Sequence, residues 1–251
     1  MTASTTKNNL LNAVRNLTVL LISLGVWQLL SYAVDNTYFL PGVPDTFHAL
    51  IRLAGTEKFI VSILTSLLRV ALGLVFGILF GVLLGTFSHL LPVVHTLVSP
   101  IISVMKATPI ATVILILWFT FTDATLAIFV VFLMVTLIIW QNVYDGYRSI
   151  PKELREVCDV YQFTLSKRIR LLIFPAVVKY LIPAVITSIG LAWKAEIAAE
   201  IMTYSNIGRS IQDFKTLSYD TSSVFAWAVV IITLSIILEK LTKLLLGRIK
   251  T

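Results

Sequence analysis

Six stretches of about twenty mostly apolar residues run through this chain, and they constrain it more than any other feature. They cover roughly Leu17–Val34, Arg69–Leu91, Pro100–Phe121, Thr125–Tyr144, Val177–Met202 and Val224–Leu246. A helix needs about 20 residues to cross the hydrocarbon of a bilayer, because only there does it satisfy every backbone polar group internally. With 57% apolar and 13% charged residues, a water-soluble fold would expose large apolar patches. The chain therefore reads as an all-α membrane protein with about six transmembrane helices. The composition excludes disordered, collagenous and disulfide-stapled classes. The first span reads as a retained anchor, since no small-residue cleavage site follows it before Asp35.

The net charge of +7 would suggest nucleic acid if the basic residues clustered in a soluble domain. Instead they sort by side of the membrane. With the N-terminus inside, the inner segments and the inner end of the last span (Lys240 and Lys243) hold twelve Lys and Arg and the outer segments four: Arg52, Lys58, Arg209 and Lys215. Basic residues accumulate on the cytoplasmic side, so both termini and the long loop 145–175 are expected there, with no nucleic-acid partner. Residues 1–60 read as a cytoplasmic tail, the first span and an external loop or short interfacial helix over Asp35–Phe59. Residues 61–251 read as the membrane core. Cys158 is the only cysteine and has no internal partner.

Within the second span Gly73, Gly77, Gly81 and Gly85 recur every fourth residue and fall on one helical stripe. Such a stripe admits a neighbouring backbone at close range. Two partners are open, another helix of the same chain or a second subunit. Pro100, Pro109, Pro175 and Pro183 interrupt spans, where each removes a helical hydrogen bond and bends the axis.

In the loop, Pro151 opens a short amphipathic helix. Leu154, Val157, Cys158 and Tyr161 lie on one face; Lys152, Arg155, Glu156 and Asp159 lie on another. A second, basic helix (Lys167, Arg168, Arg170) starts at Thr164 or Ser166. Opposite charges interleaved on the polar face suit a protein partner better than an anionic lipid surface.

The residues from Glu156 to Pro175 resemble the cytoplasmic pattern of permease subunits of ATP-binding-cassette importers: Glu-Ala-Ala, three residues, Gly, nine residues, Ile-x-Leu-Pro. Glu156 and Pro175 match; Val157 and Cys158 replace the alanines, and Gln162, Leu172 and Phe174 replace the Gly, Ile and Leu. Ser66–Gly85, Lys106–Thr125, Gly190–Ile201 and Asn206–Asp213 are similar to the branch that imports nitrate, alkanesulfonates and taurine, although Thr120 replaces its usual glycine. The resemblance implies a type I importer permease fold with a coupling helix, in a bacterial inner membrane. It implies a homodimer of permeases, two cytoplasmic subunits that hold ATP and Mg, and an external solute-binding protein. The residues assigned to coupling are Arg155, Glu156, Val157, Cys158, Asp159, Tyr161, Gln162 and Phe163. Glycine ends a helix in the left-handed region at low cost and glutamine does not, so the coupling helix is expected to end differently here.

Lys106, Lys194, Glu196 and Glu200 are charges inside spans, where they either form an ion-pair network or line the pathway. Lys106 or Lys194 is the expected counter-ion of the two glutamates. His48, His89 and His95 have no metal-ligand spacing, and the chain carries no phosphate-binding loop, so neither a catalytic site nor a cofactor of its own is expected. The competing classes are a stand-alone secondary transporter, which calls for an inverted repeat the sequence does not display, and a membrane-embedded enzyme.

Overall fold

In the computed structural model of the chain, eleven α-helices follow one another, and there is no β-strand among the described residues. The structure describes the backbone of residues 2–247 and the side chains of residues 14–247. The side chains of Lys7, Arg248 and Lys250, counted above among the inner cations, lie outside them.

The helices are α1 (Thr2–Val34), α2 (Val43–Ala54), α3 (Glu57–Leu90), α4 (Pro92–Ala107), α5 (Ile110–Trp118), α6 (Asp123–Arg148), α7 (Lys152–Val160), α8 (Leu165–Arg168), α9 (Phe174–Thr203), α10 (Asn206–Thr216) and α11 (Thr221–Leu246). Five continuous segments are long and apolar enough to span a membrane: Val14–Val34, α3, α6, Leu165–Thr203 and α11. The sixth expected span, Pro100–Phe121, is not one helix. Its residues divide between α4 and α5, whose axes differ by 105°. Pro109 has no N–H to continue the helix, and its ring drives Thr108 to an extended ψ of 129°. α5 is only nine residues, about 14 Å at the helical rise, too short to cross alone.

Two other spans are longer than expected. α3 starts at Glu57, twelve residues before Arg69, and its 34 residues reach about 51 Å, well beyond the hydrocarbon thickness. The fifth span and the basic helix that precedes it are continuous from Leu165 to Thr203. They join through a π-helical turn, Ile169–Ile173. The ring of Pro175 would collide with the carbonyl four residues back, Leu171, and the wider turn accommodates it.

The chain divides into two compact units. The first comprises the residues up to Ile60 together with Ile211–Val230. Here α2 is a short amphipathic helix with Thr46, Ala49 and Leu53 buried on one side. Trp27 Nε1 donates to the Pro41 carbonyl at 3.1 Å, and the Gln28 side-chain oxygen accepts from the Val43 N–H at 2.8 Å. Arg52 pairs with Asp220 at 2.5 Å and also donates to Ser223. Burial pushes the Asp220 carboxyl up, but hydrogen bonds from Ser223 and the Arg52 guanidinium outweigh it and hold it below the usual carboxylate range.

The second unit comprises Val61–Ser210 and the residues from Ile231 onward. Its centre is α6, whose residues Leu126, Ala127, Val130, Val131, Val135 and Ile139 are fully buried. The glycine stripe of α3 lies directly on α6. A Cβ placed on Gly73, Gly77, Gly81 or Gly85 would come within 2.5–2.9 Å of Val131, Val135, Ile139 or Val143 respectively. Both sets recur every fourth residue, so each β-branched side chain sits over one missing side chain. Trp140 Nε1 donates to Ser88 Oγ at 2.8 Å, tying the far ends of the same helix pair. α9 packs on another face of α6, where Gly146 lets the Val177 backbone approach so closely that a Cβ would be 2.9 Å from it.

Candidate functional site

The loop between α6 and α9 is held rigidly. Glu153 lies in the first turn of α7, where a negative charge favours the helix dipole. Cys158 points inward and is 4% exposed. Arg155 donates to the Tyr147 carbonyl at 3.0 Å, which binds α7 to the end of α6. Asp159 forms an ion pair with Arg168, which binds α7 to the start of the next helix. Lys167 lies 4.8 Å over the Phe163 ring.

The end of α7 corrects an expectation. Gln162 does adopt the left-handed conformation, with φ of 49°. The Phe163 N–H reaches the Cys158 carbonyl at 2.9 Å, and the Gln162 N–H reaches the Asp159 carbonyl at 3.1 Å. This is the Schellman pattern that glycine ordinarily closes. Glutamine there is strained, and Gln162→Gly should raise stability by about 0.5–1 kcal/mol, the left-handed cost less the entropy of a glycine in the unfolded chain. A thermal-unfolding series on the purified protein in nanodiscs checks it; a lower Tm would contradict the strain.

Only part of the coupling set is available to a partner. Glu156, Val157, Asp159, Tyr161 and Gln162 are exposed, whereas Arg155 and Phe163 are half-buried and Cys158 is buried. The apolar face expected from Leu154, Val157, Cys158 and Tyr161 is therefore split: Cys158 anchors the helix and the other three are open. Val160 and Leu165, unmarked in the sequence reading, are 77% and 72% exposed and enlarge that apolar patch. Their exposure follows from α7 turning back at Gln162, which periodicity within α7 alone does not register. Beside α7 lies a groove of about 760 Å³ lined by Pro151, Leu154, Leu171, Phe174 and Pro175 among others.

The four intramembrane charges separate into two places. Lys106 and Lys194 line one cavity of about 340 Å³, otherwise mostly apolar, with Met105, Thr108, Met134 and Leu191 on its wall. Lys106 donates to the Gln141 side chain at 3.2 Å, and Gln141 in turn donates to Asp145 at 3.0 Å. Glu196 and Glu200 are wholly buried, and neither lines that cavity. The counter-ion of the glutamates is neither lysine but Arg69 of α3, 3.4 Å from Glu200. Ser66 donates to the same carboxylate oxygen at 2.6 Å and Asn206 at 3.0 Å. Arg69 and Ser66 lie on α3 just ahead of the glycine stripe. Neither was expected as a site residue from the sequence; a cation at the start of an apolar run is the signal that could have found Arg69. The chain turns sharply here: Tyr204 and Asn206 have φ of 57° and 44°, and Gly208 packs so tightly on the Glu200 carbonyl that a Cβ would overlap it.

Five apolar helices long enough to span a membrane, a broken pair beside them and a clamped short helix ahead of Leu165–Thr203 suit a membrane transport permease. The chain belongs to the family of binding-protein-dependent transport system inner membrane components, whose profile matches residues 77–251. It is 27% identical to the aliphatic sulfonates transport permease protein SsuC of Bacillus subtilis over 58% of this chain and 53% of that one. It is 35% identical to the bicarbonate transport system permease protein CmpB of Synechococcus elongatus over 33% of this chain and 30% of that one. It is 32% identical to the nitrate import permease protein NrtB of the same organism over 49% and 45%. The matched stretch thus spans about half the length of these curated relatives, or less. Among solved structures, a chain of an amino acid ABC transporter superposes with a TM-score of 0.65 at 17% identity, covering 80% of this chain and 98% of that one. That likeness establishes the type I permease fold.

Proposed function

We propose that this chain is the membrane subunit of an ATP-driven importer that carries a small anion inward. It pairs with a second permease copy, rests on two cytoplasmic ATPase subunits that bind ATP and Mg, and receives its solute from an external binding protein. The chain itself catalyses no reaction. Both termini and α7 face the cytoplasm, a reading supported by the twelve-to-four distribution of basic residues.

The observation that carries this reading is the condition of α7. It is tied at one end to α6 and at the other to the segment that leads into α9, yet Leu154, Glu156, Val157 and Val160 on its outer surface stay exposed. A helix so clamped moves as a rigid body with the spans it joins. When the ATPases close on ATP, α7 follows, and the motion passes to α6 and α9. Lys106 contacts Gln141 of α6, and Lys194 is carried by α9, so the walls of the lysine cavity shift with the lever. Membrane preparations should yield this chain together with an ATP-hydrolysing partner, and the chain alone in vesicles should take up nothing. Nucleotide-independent uptake by the isolated chain would overturn the proposal.

The cavity supports the anionic cargo. Two cationic side chains share a small, mostly apolar space from which both glutamates are absent. Relatives named for sulfonate, bicarbonate and nitrate carry anions of suitable size. Charge-assisted hydrogen bonds contribute about 1.5 kcal/mol or more each, so the double substitution Lys106→Gln, Lys194→Gln should lower uptake on the order of 100-fold. Uptake of nitrate, bicarbonate and an alkanesulfonate into vesicles holding the intact transporter measures this. Undiminished transport by the double variant would remove the anion assignment while leaving the ATP-coupled reading intact.

A further inference from the structure

Glu196 is a fully buried carboxyl for which neither oxygen has a hydrogen-bond donor. Glu200 lies one helical turn further along α9, also fully buried, so the two share a face. Side chains four residues apart on a helix are neighbours, so the two carboxyl groups are within reach of a shared hydrogen bond. One oxygen of Glu200 is crowded with donors: Ser66, Asn206 and Arg69 all reach Oε1. Its other oxygen, Oε2, has none.

Two wholly buried neighbouring carboxylates cannot readily both ionise beside one guanidinium. The charged groups acting on Glu196 are Glu200 on its own helix and Arg69 on α3. α10 contributes the neutral Asn206 side chain and the Ile207 N–H, both directed to Glu200. The charge count is therefore one negative in excess, and three carboxyl oxygens, both of Glu196 and Oε2 of Glu200, lack a donor. A single proton balances the charge and joins two of those three oxygens. We infer that Glu196 and Glu200 form a buried proton-holding pair, in which a neutral Glu196 donates to Oε2 of an ionised Glu200. The charge falls on Glu200 because its three side-chain donors and the start of α10 stabilise it there, whereas no hydrogen-bond donor reaches Glu196.

This pair secures a corner of the fold. Glu200 gathers α3, the end of α9 and the start of α10, and Gly208 and the left-handed Tyr204 and Asn206 admit no looser arrangement. Losing the proton would place two adjacent charges there and loosen it. The pair titrates as a unit, so the device is a proton site built into the α3–α9–α10 junction rather than a property of one residue.

The test uses the chain in nanodiscs with its co-purifying subunits. Infrared difference spectra between neutral and alkaline pH should show a protonated-carboxyl band that Glu196→Gln abolishes. Glu196→Gln, the neutral isostere, should keep the wild-type Tm at neutral pH and not share its fall at alkaline pH. Glu200→Gln should lower Tm by roughly 5 °C or more, because it strips the anion that three side-chain donors share. The inference is overturned if the band is missing or survives in Glu196→Gln, or if Glu196→Gln unfolds as readily as Glu200→Gln. It is also overturned if stability follows sodium or potassium concentration rather than pH, for then an alkali cation occupies the pair. None of these readouts depends on transport, so failure here leaves the proposed function standing.

Discussion

Glu156→Lys is expected to abolish ATP-driven uptake while leaving the chain folded. Glu156 is exposed on α7, and the contacts that hold α7 in place come from its neighbours: Arg155 to the Tyr147 carbonyl, buried Cys158, and Asp159 to Arg168. Reversing its charge therefore changes the surface that α7 offers to the proposed ATPase partner and not the way α7 is held. An interface residue at the centre of a docking patch is worth about 2 kcal/mol or more, and a repulsive replacement adds to that loss. The variant should elute without its ATPase and transport at least about 30-fold more slowly, with Tm unchanged. Retention of the ATPase and wild-type uptake would dissociate α7 from coupling. A collapsed Tm would instead show that Glu156 supports the loop.

The second large effect lies in the packing. Gly81→Leu should leave almost no monodisperse protein. A Cβ at this position sits 2.7 Å from Ile139 Cβ and 3.1 Å from the Thr136 carbonyl, so even alanine presses on a backbone atom. Leucine would force α3 and α6 apart along the whole glycine stripe, because the four contacts share one straight interface. Overpacking of well-filled cores costs about 1–3 kcal/mol, and rigid backbone on both sides places this case at the upper end. Gly190→Leu is the matched control in the same unit, since nothing lies within 4 Å of a Cβ there. Size-exclusion profiles of detergent extracts should rank wild type and Gly190→Leu together, Gly81→Ala lower, and Gly81→Leu lowest. Equal profiles for all four would mean that the stripe is not tightly packed.

The glycine stripe also shows where sequence reading stops. Four glycines at every fourth position reveal a face that invites close approach, and nothing in α3 says what approaches. The partner set Val131, Val135, Ile139 and Val143 has the same period, yet it lies in a helix whose apolar residues surround its axis. Likewise, the carboxylate pair was visible as Glu196 and Glu200 four residues apart, but its counter-ion came from Arg69, more than a hundred residues earlier. The nearer lysines were the natural guess by sequence distance. They instead face a cavity that exists only because α4, α6 and α9 meet.

The Thr108–Pro109 break is an intermediate case. Proline announced a bend, and the size of the bend depended on the extended backbone that its neighbour adopts. At Gln162 local chemistry pointed the wrong way. Glycine is preferred in the left-handed region by an amount that the Asp159–Arg168 pair, the Arg155 anchor and buried Cys158 together overcome.

Crossing a bilayer is a demand each segment meets by its own length and composition, and amphipathy is written into a few neighbouring residues. Five of the spans, the short helix between the expected fourth and fifth, and the family were therefore legible in the chain alone. Which glycine meets which valine, which cation neutralises which acid, and which lysines share a cavity depend on faces brought together from distant segments. Only the folded arrangement decides these, because contact energies act across space and carry no trace in local order.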